Sequence, residues 1–289
     1  MGERMPRFIS VSNEFCRAIL GKLGFILLIL SKNKMGMHRT RNEEIPDIIF
    51  GVRAVIEAVR SNREINKIMI QKGMDKELFY ELKDVLADKK YTLQFVPVEK
   101  LNRLTNKNHQ GVIAFTSPVE YFNLEDILNQ IQEVGDEPNI LVLDRITDVR
   151  NFGGIARTAE CSGVHAIVIP AKESAMITSD AIKTSAGALN KIPVCKVRDL
   201  NESVEFLKNS GLRIVACTEK TDAFVFDATL TGPTALIMGS EEDGISDSLL
   251  KLAHQKAKIP LLGTLGSYNV GVAASIVLYE KMRQMILES

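Results

Sequence analysis

The spacing of apolar and polar positions divides the chain into short elements of two periods. Val52, Val55, Ile56 and Val59 fall on one helical face, and so do Leu78, Phe79, Leu82, Val85 and Leu86. Ile68-Met69-Ile70, Leu93 to Val96 and Val112 to Phe115 are apolar runs of strand length. They predict a compact α/β domain over residues 42–118. The polar stretch 119–137, with Leu124, Ile127, Leu128 and Ile131 at helical spacing, reads as a linker. Beyond it, Ile140 to Leu143, Ala166 to Ile169, Val194 to Val197, Ile214 to Cys217 and Ala235 to Met238 are apolar runs rich in β-branched residues. Helical stretches separate most of them: Gly154 to Ser162, Ser179 to Ala186 and Leu200 to Asn209. Apolar strands alternating with helices predict a parallel sheet covered on both faces over residues 138–289. Ligands of such sheets bind in the loops that follow the carboxyl ends of strands.

Composition narrows the class. At 289 residues, 45% apolar and 25% charged, the chain is that of a globular protein with room for two domains. The net charge of zero conceals an asymmetry. Residues 1–41 carry eight Lys/Arg against Glu3 and Glu14, an excess of +6 that the other 248 residues balance. Any contact of the body with a polyanion such as nucleic acid must therefore come from placed cations. The apolar run Leu23 to Leu30 is too short for the ~20 residues that span a bilayer. Ser31-Lys32-Asn33-Lys34 is no signal-peptide cleavage site, so residues 1–41 are either a peripheral helix or a leader upstream of a start at Met35 or Met37, the leader being favoured. No membrane anchor is expected, and a cytoplasmic location is. Cys16, Cys161, Cys195 and Cys217 have no C-x-x-C pairing and read as reduced core thiols, and no metal site is expected. His38, His165 and His254 are assigned to structure; His109 and Gln110 fit RNA contact or a hairpin turn equally well.

Three loops after predicted strands hold the candidate chemistry. In the first, Asp144 to Ala159, Asn151 is placed to cap the next helix, Gly153 and Gly154 allow close approach, and Arg150 and Arg157 can grip phosphates. The second is Met238-Gly239-Ser240-Glu241-Glu242-Asp243-Gly244. Its acids repel phosphate, and neither a P-loop nor a G-x-G-x-x-G fingerprint is present. The third, Ile259 to Ser275, passes through a glycine-rich turn in which Ser267 and Asn269 place polar atoms at a helix start. Each loop alone is explained by a cap or an acidic turn.

Their order and spacing closely resemble the three signature motifs of the SPOUT superfamily of RNA methyltransferases, in its SpoU/TrmH branch of ribose 2′-O-methyltransferases. The matching residues are Asn151-x-Gly153-x-x-x-Arg157-Thr158-Ala159, Met238-Gly239-Ser240-Glu241-x-x-Gly244, and Ile259-Pro260 through Ser267-Tyr268-Asn269-Val270-x-Val272-Ala273. Phe50-Gly51-Val52-Arg53-Ala54-Val55 and Asn108-His109-Gln110-Gly111-Val112 resemble the ribosomal-protein-like RNA-binding domain of the subfamily that methylates a large-subunit rRNA guanosine. Val149, Arg150, Gly266 and Tyr268 depart from the commoner residues of the motifs.

The resemblance implies a C-terminal trefoil knot, a homodimer and S-adenosylmethionine as cofactor. The cofactor would be held largely by main chain of Gly239, Ile259 and Tyr268, with Thr218 at the rim. By the same resemblance Arg157 is the proposed activator of the 2′-hydroxyl; our expectation is that it chiefly holds a phosphate and orients the hydroxyl, with Asn151 and Glu241 fixing its geometry and Ser267 and Asn269 orienting cofactor and nucleotide. A guanidinium is too weak an acid to be an easy base, which favours the orienting role. Two alternatives stay open: a tRNA ribose 2′-O-methyltransferase, and a catalytically silent RNA-binding relative. A few relatives with this first domain confer antibiotic resistance on the same ribosomal subunit.

Overall fold

The computed structural model describes residues 24–25, 48–86 and 91–288. The expectations for residues 1–41 fall outside these, except at Gly24 and Phe25.

Two sheets organise the chain. The first has the order β1-β4-β2-β3, from β1 (Ile48–Phe50), β2 (Ile65–Gln71), β3 (Leu93–Val96) and β4 (Val112–Thr116). β4 runs antiparallel to β1 and β2, and β3 is parallel to β2. Helices α1 (Val52–Arg60) and α2 (Lys76–Leu86) cover one face through Val55, Ile56, Val59 and Leu82, while Leu101 of the short α3 (Val98–Asn102) packs on the other. The helical spacing in the sequence is thus the buried stripe of each helix.

The second sheet has six strands, all parallel, in the order β10-β8-β9-β5-β6-β7. They are β5 (Asn139–Leu143), β6 (Ala166–Pro170), β7 (Val194–Val197), β8 (Arg213–Cys217), β9 (Thr234–Met238) and β10 (Gln255–Ala257). Successive residues alternate between its two cores. Leu141, Leu143, Ile167, Val215 and Leu236 face α5 (Val149–Cys161), α6 (Ser179–Thr184) and α9 (Val270–Glu288). Ile140, Val142, Val168, Ile214 and Ile237 face α4 (Leu124–Glu133), α7 (Leu200–Asn209) and α8 (Asp247–Leu252). Burial on both faces explains why these strands read as unbroken apolar runs. The connecting stretch is folded onto this second core through Leu124, Ile127, Leu128 and Ile131. Phe25 is buried there too, edge-on to the His165 ring at 5.2 Å.

A polar joint holds the two sheets together. The Asn66 side chain donates to the carbonyls of Thr116 in its own sheet and Ile177 across the joint, both at 2.9 Å, and accepts the Tyr121 hydroxyl. Lys196 donates to the Asn66 carbonyl at 3.1 Å with its ammonium over the Tyr121 ring, and burial lowers its pKa to about 8. The buried Asn66, with the half-buried Tyr121 and Lys196, thus ties the two sheets through polar contacts.

Three sequence expectations are corrected. Helix α5 begins at Val149, not Gly154, because the Asp148 carboxylate accepts the Asn151 N–H at 2.7 Å and is the cap. Asn151 therefore sits inside the first turn. The glycines do not delay the helix: a Cβ on Gly153 would stand 2.7 Å from Thr184 Cβ, so its smallness is what lets α5 seat against α6. Cys161 is exposed rather than in the core; Cys195 and Cys217 are partly or wholly covered, and burial pushes both thiols up to about 12. Among the described residues no helix is long and apolar enough to cross a membrane.

Candidate active site

The three loops meet at the carboxyl end of the six-stranded sheet, and their topology requires it. The first follows β5, the second follows its neighbour β9, and the third follows β10, one strand beyond β8 on the same side. In register, Cys217 of β8 lies beside Met238 of β9 and Ala257 of β10. The residues just past those strand ends, Thr218, Gly239 and Ile259, are therefore brought to one edge. Thr218 is buried, with its N–H on the Ala257 carbonyl at 2.9 Å.

Glu241 is the hub. Its Oε1 accepts from Asn269 Nδ2 at 2.5 Å, from Asn151 Nδ2 at 3.3 Å and from the Val270 N–H at 3.1 Å. Asn269 Nδ2 also donates to Asn151 Oδ1 at 3.0 Å. Asn269 Oδ1 accepts the N–H groups of Gly271 and Val272, which makes Asn269 the cap of α9. One carboxylate and two carboxamides, one from each loop, thus form a closed hydrogen-bonded triad at two helix N-termini, where a negative group is favoured. Helices α5 and α9 are tied again by Thr158 and Ser275, whose hydroxyls are 3.1 Å apart.

The second loop is drawn tightly enough that a Cβ on Gly239 would overlap the backbone of Gly244 and Ile245. Sequence reasoning missed the pair that holds it. Asp144 accepts the Ser246 N–H at 2.7 Å, and Arg145, at φ 57°, reaches Asp243 at 3.0 Å and the Gly244 carbonyl at 3.1 Å. The available signal was a charged pair, Asp144-Arg145, directly at the end of an apolar strand.

Arg157 is elsewhere. It is exposed and, among the described residues, makes no hydrogen bond or ion pair; Asn151 and Glu241 bond to each other and to Asn269 instead of to it. Arg150, Gly154 and Arg157 recur at i, i+4 and i+7, so they share one face of α5, with the arginines about 10 Å apart along the axis. Nothing stands within 4 Å of a Cβ built on Gly154, so the ground between them is open. Ser267 and Tyr268 are exposed with the rest of residues 261–269, and Ser267 joins no partner among the described residues. The structure thus unites Asn151, Glu241 and Asn269, aligns Thr218, Gly239 and Ile259, and leaves Arg157 and Ser267 open.

In the first domain the hairpin role of His109 and Gln110 is the observed one. His109 Nδ1 accepts the Gly111 N–H at 3.0 Å, its Nε2 lies 2.8 Å from Asn102 Oδ1, and Gln110 Oε1 accepts the Val52 N–H at 3.2 Å. His165 and His254 are likewise held by structure, each accepting a backbone N–H at Nδ1.

Comparisons with known proteins agree with this architecture. The family model described as the SpoU rRNA Methylase family matches residues 138–279, and the one described as RNA 2′-O ribose methyltransferase substrate binding matches residues 48–122. A Staphylococcus epidermidis protein provisionally named a TrmH family tRNA/rRNA methyltransferase is 36% identical over 238 residues, 82% of this chain and 95% of that protein. Among solved structures, the SpoU methyltransferase AviRb from Streptomyces viridochromogenes superposes with a TM-score of 0.53 at 26% identity, covering 92% of this chain and 98% of that one. The same protein in complex with AdoMet gives 0.53 at 24% identity over 83% and 90%. The fold is that of an RNA methyltransferase with a parallel six-stranded sheet. The chain belongs to the SpoU/TrmH family of the SPOUT superfamily.

Proposed function

We propose that this protein transfers the methyl group of S-adenosylmethionine to a ribose 2′-hydroxyl of RNA, a guanosine of large-subunit rRNA, and acts as a knotted homodimer. The observation that carries the reading is the Asn151–Glu241–Asn269 triad, which fastens three strand-end loops to one another.

The residues present suit the cofactor. Glu241, Glu242 and Asp243 form an acidic turn that disfavours phosphate and favours a cationic sulfonium. Glycines at 263 and 266, where nothing stands within 4 Å of a built Cβ, leave main chain of the third loop accessible to a flat heterocycle. Gly239, Ile259 and Tyr268 would hold it, with Thr218 at the rim. When bound, the group supplies an electrophilic methyl, and the protein's task is to bring a poor nucleophile in line with it. The Arg150–Arg157 face fits a phosphate of the target strand, and Arg157 would orient the 2′-hydroxyl from there. Ser267 and Asn269 would order nucleotide and cofactor from the third loop. Because Glu241 Oε1 and the carboxamides of Asn151 and Asn269 are engaged with one another, their part is to fix the loops.

Several observations support the finer points. Val272, Tyr279 and Ile286 are exposed at seven-residue intervals along α9, and Leu262 is fully exposed with Leu265 close behind, an apolar surface suited to a second copy. Lys281 and Gln284 of α9 bond to the carbonyls of Leu230, Gly232 and Ala228, which fastens the last helix beneath the 218–233 segment, as a knotted C-terminus would need. The substrate-binding match over residues 48–122 supports RNA as the substrate.

Calorimetry with S-adenosylmethionine and ribose-methylation mapping of total RNA from cells with and without the protein test the reading. Cofactor binding and a lost mark on large-subunit rRNA are expected. A lost mark on tRNA alone moves the substrate to tRNA, and absence of cofactor binding leaves a silent RNA-binding module.

A further inference from the structure

A cleft of about 600 Å³ lies in the first domain, away from the three loops. It is bounded by the carboxyl end of β2, the start of α2 and the turn between α3 and β4. Its size falls within the several hundred Å³ usual for small-ligand sites and exceeds what one nucleobase fills. Its walls combine two chemistries. Met74 and Leu78 give an apolar side, and Gln71, Asn102, Asn106 and Asn108 supply carboxamides.

The carboxamides retain hydrogen-bonding capacity. Gln71 and Asn106 side chains have no partner among the described residues. Asn108 spends only its Oδ1, on the Gln110 N–H at 3.3 Å. The His109 ring sets Asn102. Since Nδ1 accepts the Gly111 N–H, the ring proton is on Nε2 and donates to Asn102 Oδ1 at 2.8 Å, which leaves the Asn102 Nδ2 hydrogens unpaired. The histidine is therefore a brace for an amide. Charge is sparse: Asp75 is the only acid on the lining, and one of its oxygens already accepts the N–H groups of Glu77 and Leu78. Lys107 is the only permanent cation there, standing 5.2 Å above the Phe50 ring.

Neutral amides offer paired donors and acceptors, an apolar wall takes a flat ring, and one cation on the lining suits one phosphate. Unpaired bases of RNA are recognised in this way, by stacking or apolar contact on the ring and hydrogen bonds to its edge. We propose that this cleft binds an unpaired nucleobase of the RNA substrate, distinct from the nucleotide that is methylated, with its edge on Gln71, Asn102, Asn106 and Asn108 and its phosphate on Lys107. The proposal rests on the reading that the substrate is RNA. It assigns the first domain a selective role: it reads a single-stranded base at a distance from the reacting ribose.

The test uses the full chain and two fluorescein-labelled probes, an RNA hairpin with a mixed-sequence single-stranded loop and a fully paired RNA duplex of the same length. In the double variant Gln71→Ala/Asn106→Ala, chosen because neither side chain holds the fold, hairpin affinity should fall at least tenfold. Duplex affinity should change less than twofold, and the thermal midpoint and S-adenosylmethionine affinity should not move. Lys107→Ala should weaken both probes alike and flatten the salt dependence by about one charge. Unchanged hairpin affinity in the double variant, or equal loss on both probes, overturns the proposal while leaving the methyltransferase reading intact. Failure of the unaltered chain to bind either probe overturns both.

Discussion

Asn151 and Arg157 stand six residues apart on the same helix in opposite surroundings. Asn151 is spent: both ends of its carboxamide are engaged by the neighbouring loops. Arg157 is unspent, a cation exposed on an open face with Arg150 one turn-pair away. A group engaged at both ends by its own protein is suited to fixing geometry. A charged group with no internal partner contributes little to folding and keeps its full hydrogen-bonding capacity for a ligand. One helix thus separates the two requirements of a transfer site, a rigid frame and a free grip.

The sharpest way to break this contrast is Arg157→Ala. Methyl transfer to RNA, followed with radiolabelled S-adenosylmethionine, should fall at least ~100-fold, while the thermal midpoint and cofactor affinity stay as they were. A variant that turns over normally removes Arg157 from the reaction. On the frame side, Gly239→Ala should destabilise by about 3 kcal/mol, since the new methyl meets the Gly244 and Ile245 backbone and only the loop itself can yield. Denaturant unfolding checks it, and a cost near zero would mean the second loop is looser than its geometry. Glu241→Ala should be milder. It deprives two carboxamides and one backbone N–H of their acceptor at an exposed position where water substitutes in part, so we expect about 1–2 kcal/mol of lost stability and several-fold weaker cofactor binding. If Glu241→Ala instead abolished turnover without touching stability or cofactor affinity, the carboxylate would belong to the chemistry and the division would fail.

The smallest effect is in pH. Burial lowers the pKa of Lys281, on α9, and of Lys196, at the joint, to about 8 in the folded chain. Unfolded lysines titrate near 10.5. Between these values the unfolded chain holds more protons, so stability should rise with pH from 8 towards 10, by at most about 1.4 kcal/mol per pH unit for each lysine. Tyr121 has the opposite sign: its pKa is raised by burial, so its contribution is lost as pH climbs past 10. Urea midpoints between pH 7 and 10 should show the rise, and Lys196→Met should reduce it. A flat profile would mean that both ammonium groups are better hydrated than their burial indicates.

The sequence was most legible where burial imposes a period. Strand β7 and helix α7 coincide with their runs residue for residue, because a strand in the core or a helix buried on one stripe cannot hide its pattern; β3 coincides too, although three of its four residues are exposed. Strands β1 and β10 were not legible. Each has three residues, too few for any period, and each exists because a longer neighbour, β4 or β8, offers it an edge. The start of α5 was misread for a related reason. Two glycines and an asparagine look locally like a helix boundary, and only the packing of Gly153 on Thr184 shows why the glycine belongs inside.

The three motifs were likewise present as spacing, and their spacing named a family before any coordinate did. What each side chain does was not present. Composition and order determine which groups are polar, which are apolar and in what sequence the strands are made. Only the arrangement of β5, β9, β8 and β10 side by side decides that Asn151, Glu241 and Asn269, separated by 90 and 28 residues, satisfy one another and leave Arg157 unpaired. Pairing depends on distances that the chain acquires on folding, which is why the grip and the frame could be told apart only in three dimensions.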